Sequence, residues 1–209
     1  FMDGIHYIRK ESAIVFFLTY TVFLNAILVP MNSLQAPLAT EVLHSGVEIL
    51  SIISVSFTVG MLCGSVSYPM VAEYIGRKTL FCISGLFFGL YYILLVVCQP
   101  LYGNRLVTDS LVACLSVIFG IFIGFCQCSI SILFMKNVSK EYIARVGSIV
   151  TSICVISLPV VSFIISGVVT VVSTQTIFLF AGIIDFIFVY YFSKKDVGEE
   201  QKNEVLMEA

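Results

Sequence analysis

Six apolar segments of 18 to 24 residues make up most of this 209-residue chain. They are Ala13–Leu34, Val47–Met70, Thr79–Val97, Leu111–Phe134, Val146–Val169 and Gln175–Phe192. Because about 20 helical residues cross the ~30 Å hydrocarbon core of a bilayer, each segment is long enough to span a membrane. The sequence therefore predicts an all-α integral membrane protein with six transmembrane helices, here called spans 1 to 6 in chain order.

The positions of the basic residues test that number of spans. If the chain crosses alternately, ten of its eleven Lys and Arg residues share one face, and Arg105 lies on the other. The ten are Arg9, Lys10, Arg77, Lys78, Lys136, Lys140, Arg145, Lys194, Lys195 and Lys202. By the positive-inside rule that face is cytoplasmic. The pattern predicts a multi-pass cell-membrane protein with both termini cytoplasmic, since an odd number of spans would scatter these charges.

Composition excludes several other classes of protein. Hydrophobic residues make up 59% of the chain and charged residues 11%, against roughly 25% charged in an ordinary soluble domain. The lipid bilayer is therefore an expected partner, and the formal charge of −2 gives no reason to expect nucleic acid. The seven cysteines include no CxxC pair, and both histidines lie outside the spans, so we expect no metal site and no other cofactor.

The spans are flanked by two short terminal parts. Residues 1–12 mix apolar side chains with Arg9 and Lys10, which indicates a segment lying on the cytoplasmic interface. Residues 13–193 form the six-helix transmembrane domain. Residues 194–209 are charged and polar, which predicts a disordered cytoplasmic tail.

Two of the connections carry turn residues. Val71–Lys78 is predicted to be an eight-residue loop between spans 2 and 3. Cys98–Ser110 contains Pro100, Gly103 and Asn104, which we expect to end span 3 and to start no further helix.

The first of these loops contains the most specific motif in the chain. Glu73–Lys78 reads Glu-Tyr-Ile-Gly-Arg-Lys. It resembles the Gly-x-x-x-Asp-x-x-Gly-Arg-Arg/Lys motif of the major facilitator superfamily, with Pro69 in place of the first glycine and Glu73 in place of the aspartate. The resemblance implies a cytoplasmic gate motif formed by Glu73, Gly76, Arg77 and Lys78. The alternative is a positive-inside loop with a turn glycine.

A second resemblance covers nearly the whole chain. Gly4-x-x-Tyr7-Ile8-Arg9-Lys10, Pro30-x-Asn32-x-Leu34-x-x-Pro37-Leu38 and Gly60-Met61-Leu62-x-Gly64 resemble the carboxy-terminal six-helix half of the macrolide-efflux-like branch of that superfamily. This implies one half of a major facilitator bundle, with a 3+3 inverted repeat. It also implies an amino-terminal six-helix half of the same transporter as partner. Because Phe1 precedes Met2, we expect the chain to begin inside a longer one.

Small residues spaced four apart predict where the spans touch. Close approach of helices in a bilayer relies on small side chains, because lipid is as apolar as the helices themselves. The pairs are Gly60/Gly64, Gly85/Gly89, Gly120/Gly124 and Ser148/Ser152. We expect each pair to form a packing seam.

Span 1 carries the residues most suggestive of a solute pathway. Pro30 and Pro37 each lack a backbone donor, so the helix should break between them. Irregular backbone at membrane depth is tolerated where it lines a water-filled cavity. We therefore expect Asn25, Asn32 and Gln35 to line a path for a small-molecule substrate. A Pro-capped helix end with surface-facing amides is the alternative.

Three further candidates lie in other spans. Gln127 in span 4 is an amide at depth that needs a partner or water, and Phe57 in span 2 suits an apolar solute. Asp185 in span 6 is the only ionisable residue well inside a span. It is either a proton site coupled to transport or a protonated structural residue.

The sequence contains no motif for catalysis, such as a Walker loop, HExxH or GxSxG, so we do not expect an enzyme. The favoured hypothesis is half of a secondary active transporter that uses an ion gradient to export hydrophobic or amphiphilic molecules by alternating access. The alternatives are a six-span permease subunit of an ATP-dependent system, a half-size transporter acting as a homodimer, and an intramembrane enzyme.

Overall fold

The computed structural model describes the backbone of residues 12–207 and most side chains between residues 15 and 191. Eight α-helices follow one another in this part of the chain, with a π-helical turn at Leu38–Val42 and a 3-10 turn at Gln99–Leu101. The helices are α1 Ser12–Ile27, α2 Val29–Ser33, α3 Gln35–Pro37, α4 Glu48–Ile75, α5 Arg77–Val97, α6 Arg105–Asn137, α7 Ile143–Val168 and α8 Thr174–Met207. The predicted interfacial segment before residue 12, including the match at Gly4–Lys10, lies outside the described residues.

The described residues contain helices and no strand, which confirms the all-α prediction. Five helices, α4 to α8, are individually long and apolar enough to cross a membrane. The sixth crossing is a bent pair, Leu18–Ser33 and Gln35–Val42, whose two parts meet at 61°. The chain therefore has the helices of a multi-pass membrane protein, with six spans when the bent pair is one span.

The bend in span 1 lies where the two prolines predict it. Pro30 and Pro37 lie on either side of Leu34, whose φ of −110° and ψ of 29° depart from helical values. Each proline removes a backbone donor, so the helix is weakened on both sides of this residue. The predicted break of span 1 is confirmed, and its outer part includes the π-helical turn.

A single glycine separates spans 2 and 3. The helix α4 runs to Ile75 and α5 begins at Arg77, so the prediction of an eight-residue loop is wrong. Gly76 has a φ of 85°, a value that favours glycine because it has no Cβ. This one residue reverses the chain, and the adjoining residues of the motif belong to helix ends.

Two other predicted boundaries are also wrong. Asn104 starts a helix, because its side chain accepts a hydrogen bond from the backbone N–H of Leu106 at 3.2 Å and so caps the amino end of α6. At the other end of the chain, α8 continues to Met207, through the segment expected to be disordered. That segment is rich in Glu and Lys, which are good helix formers and extend a helix already begun.

The closest helix pair is α4 against α6. Gly60 and Gly64 face the backbone of Val117 and Ile121, and Gly120 and Gly124 face the backbone of α4 in return. A Cβ added to Gly60 would collide with the carbonyl oxygen of Val117. The two predicted seams are therefore the two sides of one contact, in which backbone packs directly on backbone.

A second glycine contact joins α5 to α8. A Cβ on Gly89 would lie 2.6 Å from the carbonyl oxygen of Gly182, and one on Gly182 would lie 2.8 Å from that of Gly89. Gly85 on the same face lies against Tyr20 of α1 and Val189 of α8. The predicted Gly85/Gly89 seam is confirmed, and its partner Gly182 was not predicted.

Buried aromatic residues fill the space around these contacts. Tyr92 is fully buried, donates a hydrogen bond to the carbonyl of Ile27 at 2.7 Å, and meets Phe178 edge to face. Tyr91 stacks on Phe119 with ring centroids 4.1 Å apart. The core thus ties the bent span 1 to spans 3, 4 and 6.

The prediction that Ser148 and Ser152 form a packing seam is wrong for the described residues. Ser148 and Ser152 in α7 are exposed rather than packed against another helix. The α7 helix contacts α1 and α2 through other residues, including a 2.9 Å hydrogen bond between the hydroxyls of Ser162 and Ser33. Spacing identified a small-residue face here without identifying what faces it.

The α4–α6 contact gives the first testable prediction. Gly60→Val should destabilise the protein by about 1–3 kcal/mol, because the added atoms meet rigid backbone. Thermal unfolding in detergent measures this change. Gly167→Val in α7 is the matched control, since nothing lies within 4 Å of a Cβ built there. Equal losses in both variants would contradict the proposed role of backbone contact.

Candidate transport pathway

Spans 2 and 5 leave most of their surface uncovered. In the most apolar stretch of each helix, 22% of residues are buried in α4 and 11% in α7, against 56% in α5. The uncovered surface of α7 includes large apolar side chains such as Phe163, which is 83% exposed. The surface left open for a pathway or a partner therefore includes large parts of α4 and α7.

The amides of span 1 differ in their surroundings. Asn25 is half-buried and its Nδ2 donates to the carbonyl of Thr21 at 2.9 Å, whereas Asn32 is exposed and its Nδ2 donates to Leu28 at 3.1 Å. Gln35 follows the bend and is exposed. Each asparagine donates one N–H of its amide to a carbonyl of its own span. Their role in transport stays a prediction.

The outer part of span 1 is fixed to the start of span 6. Thr174 donates from Oγ1 to a carboxylate oxygen of Glu41 at 2.6 Å, and Gln175 donates to the Glu41 carbonyl at 3.5 Å. Leu38 and Val42 on the same turn are fully buried. The outer part of span 1 is therefore anchored in this structure through Glu41, a residue that sequence analysis did not identify.

The same outer end is also tied to span 3. Gln99 Nε2 lies 3.0 Å from Nε2 of His44, in a hydrogen bond whose direction depends on the histidine tautomer. His44 has a φ of 47° and lies just after the π-helical turn Leu38–Val42. Nothing in the sequence indicated that these exposed polar residues join two spans.

The candidates in spans 2 and 4 also differ. Phe57 is half-buried, and its ring lies 5.9 Å from that of Phe119, so part of it packs within the bundle. Gln127 is exposed on α6, one turn before the exposed Ser131. Of the two side chains, Gln127 is the more exposed, and it carries a polar amide group.

A groove between α6 and α7 adds residues that the sequence did not single out as pathway candidates. Its volume is about 790 Å³. The lining includes the Phe134 ring of α6 together with Gly147, Ser148, Thr151 and Ser152 of α7. Ser148 already donates to the carbonyl of Ala144 at 2.8 Å, which leaves its oxygen lone pairs free to accept. The groove combines an aromatic wall with hydroxyl groups and has no charged lining residue.

The gate motif lies at the paired ends of α4 and α5. Glu73 is exposed and borders a small cleft of about 210 Å³ with Tyr68, Pro69, Ala72 and Ile132. Behind this cleft Ser129 of α6 donates to the hydroxyl of Tyr68 at 3.3 Å. The side chains of Arg77 and Lys78 lie outside the described part, so only the Gly76 turn and the Glu73 position are established.

Asp185 lies inside the helix bundle, away from these exposed residues. It is fully buried, and its Oδ2 accepts a hydrogen bond from the backbone N–H of Gly89 at 2.9 Å. Its other oxygen, Oδ1, has no hydrogen-bond partner within the described structure. Sequence analysis identified this residue because it is the only ionisable one deep in a span, and its predicted proton role remains to be tested.

The described residues contain no group of three or more His, Cys, Asp or Glu side chains placed to hold an ion. The cysteines are free thiols.

Comparison with known families decides the class of protein. The family model of the Major Facilitator Superfamily matches residues 12–206, which is nearly the whole chain. The chain belongs to the major facilitator superfamily. Members of this family are membrane transporters rather than enzymes, so the protein is a membrane transporter of the major facilitator kind. Searches of curated proteins and of solved structures found no match.

The match accords with the helical fold and with the motif at Gly76. It identifies the superfamily, while the assignment to the macrolide-efflux-like branch rests on sequence motifs alone.

The bond between spans 1 and 6 gives the second prediction. Thr174→Val keeps the side-chain shape but removes the donor to Glu41, and hydrogen bonds to charged groups contribute about 1.5–3 kcal/mol. We expect a loss of stability of that order in thermal unfolding. Thr170→Val is the control, because this exposed hydroxyl in the turn after α7 donates to the carbonyl of Gly167, a residue close to it in sequence. An unchanged unfolding temperature for Thr174→Val would show that the contact does not anchor span 1.

Proposed function

We propose that these six spans are the carboxy-terminal half of a secondary active transporter that exports hydrophobic or amphiphilic small molecules across the cell membrane. An ion gradient drives the export, and the pathway opens alternately to the two sides. The superfamily is established, and the direction, the energy source and the substrate class are the proposal.

The observation that carries the proposal is a set of uncharged polar side chains on uncovered helix faces. They are Asn32, Gln35, Ser54, Thr58, Gln127, Ser131, Ser148, Thr151 and Ser152. Polar groups at membrane depth are unfavourable against lipid and favourable against water, a solute or another helix. The exposure of these polar groups on spans 1, 2, 4 and 5 supports a pathway along some of these faces.

The substrate class follows from what these faces contain. Amides and hydroxyls offer hydrogen bonds, while side chains such as Phe134 and Val155 in the groove offer apolar contact. No charged side chain lines the groove between α6 and α7. A neutral or amphiphilic organic molecule suits such a surface better than a small ion does.

The helix pairing supports a 3+3 inverted repeat. Span 2 packs on span 4, and span 5 packs on span 1. Exchanging spans 1, 2 and 3 for spans 4, 5 and 6 converts the first pair into the second and leaves the contact between spans 3 and 6 unchanged. This is the contact pattern expected for two related three-helix units.

The uncovered faces of α4 and α7 support an amino-terminal six-helix half as partner. A half-size transporter that pairs with a second copy of itself would cover the same faces, and the mass of the detergent-solubilised protein distinguishes the two. A permease subunit of an ATP-dependent system is less well supported, because Gly76 alone joins spans 2 and 3 and leaves no room for a cytoplasmic coupling helix.

The third prediction concerns the substrate pathway. Gln127→Leu should reduce transport of an amphiphilic substrate about tenfold or less, because a neutral hydrogen bond contributes about 0.5–1.5 kcal/mol. The matched variant Gln127→Asn keeps an amide and should retain more activity. Transport by vesicles with equal amounts of each protein is the measurement. If Gln127→Leu transports normally, this face of α6 does not line the path.

The fourth prediction tests the orientation. Tyr74 is 86% exposed beside Gly76, and Gly103 is exposed in the connection on the opposite side. With the native cysteines replaced, a membrane-impermeant maleimide added to intact cells should label Gly103→Cys and spare Tyr74→Cys. Labelling of Tyr74→Cys from outside would reverse the topology and remove the basis for a cytoplasmic gate motif.

A further inference from the structure

Asp185 is the only acidic or basic side chain that is buried in the described part of the chain. The other described charged residues, such as Glu73 and Arg105, lie at helix ends and are exposed or half-exposed. A carboxyl group in the middle of a bundle is unfavourable unless something offsets its charge. Some group close to Asp185 must therefore offset or remove the charge of its carboxyl group.

The backbone of α5 provides a hydrogen bond to only one of the two carboxyl oxygens of Asp185. The contact between Gly89 and Gly182 brings α5 and α8 so close that Asp185 Oδ2 reaches the Gly89 N–H at 2.9 Å. That bond satisfies one oxygen. Oδ1 is buried with no hydrogen-bond partner in the residues described.

Among the side chains that the structure describes, no positive charge lies close to Asp185. The titratable groups close to Asp185 are Tyr20 of α1, Tyr92 of α5 and Cys126 of α6, with Cys82 of α5 beside them. None of these Tyr and Cys side chains can carry a positive charge, because each is neutral with its proton and negative without it. On the outer segment that packs against α8, the charged residue is Glu41, which bonds to Thr174 at the start of the helix.

A proton is the one ligand that fits these surroundings. A proton on Oδ1 removes the charge and needs no space, whereas a metal ion requires several oxygen ligands that the site does not provide. If the proton leaves, the carboxylate needs water or a cation, and the tight approach of α5 and α8 excludes both.

We propose that Asp185 binds and releases a proton as the transporter changes conformation, and that this site couples export to the proton gradient. In the conformation described, Asp185 is closed off between α5 and α8, and the proposal places a proton on it. Release requires α5 and α8 to separate far enough to admit water. This inference rests on the proposed gradient-driven export and names its coupling ion.

The test separates coupling from transport itself. Asp185→Asn keeps an oxygen that can accept from Gly89 but cannot release a proton. The substitution is made in the full-length natural protein, and vesicles contain either this variant or the wild type. The variant should exchange labelled for unlabelled substrate as the wild type does. Accumulation driven by a pH difference across the membrane should fall to the level seen without that difference.

The matched control is Asp109→Asn, which alters an acid near the outer end of α6 whose Oδ2 lies 3.9 Å from Arg105. It should retain both activities. If Asp185→Asn accumulates substrate as the wild type does, Asp185 is a structural acid and the coupling proposal is overturned, while the proposed export stands. A wild-type protein that exchanges no amphiphilic substrate refutes the proposed function instead.

A measurement on the wild type covers the case in which the Asn variant does not fold. A hydrophobic carbodiimide reacts with protonated carboxyl groups in apolar surroundings, and mass spectrometry of the modified peptides locates the product. Modification at Asp185 that decreases as the pH rises supports the proposal. Modification that does not change with pH, or none at any pH, overturns it.

Discussion

Direct contact between helix backbones at glycine is the constraint on which the rest of this structure depends. In a bilayer the apolar side chains gain little by leaving lipid, so helices associate through close packing and hydrogen bonds. Gly60 and Gly64 meet the backbone of α6, and Gly120 and Gly124 meet that of α4. The contact between Gly89 and Gly182 does the same for α5 and α8. These contacts fix two helix pairs, and the bent span 1 packs against them through buried residues such as Tyr20 and Tyr92.

The same packing determines which surfaces remain open. Because α5 and α8 close on each other and α4 closes on α6, the remaining faces of α4, α6 and α7 carry the amides and hydroxyls that no other described helix covers. The groove between α6 and α7, which Phe134 lines, lies on one of these faces. The candidate pathway is thus a consequence of the packing, since the faces that the helices close on each other are not accessible to a solute.

Much of this architecture could be predicted from local patterns, and the parts that could not be predicted depend on contacts between distant residues. Segment length and the distribution of charge predicted six crossings, and Pro30 with Pro37 predicted the bend in span 1. Gly76 was recognised as a turn residue, but the eight-residue loop was not found, because propensity does not show how far a helix continues. The bond from Thr174 to Glu41 joins residues far apart in sequence, and Ser148/Ser152 resembled a seam although its face is open. The position of Gln127 on an exposed face agrees with its selection as a candidate, whereas Phe57 is partly used in packing against Phe119.

The rigidity of the glycine contacts limits how such a protein can change shape. A contact in which backbone touches backbone cannot slide gradually, because any shift brings atoms into collision or opens a void. The pair α4–α6 is therefore expected to move as a unit, and alternating access is expected to occur at the uncovered faces. The contact between α5 and α8 differs from the other in one respect, since it contains a carboxyl group with an unsatisfied oxygen. Because a proton on Asp185 would remove the charge from this closed contact, this helix pair is the place where a change in protonation would alter the packing of the bundle.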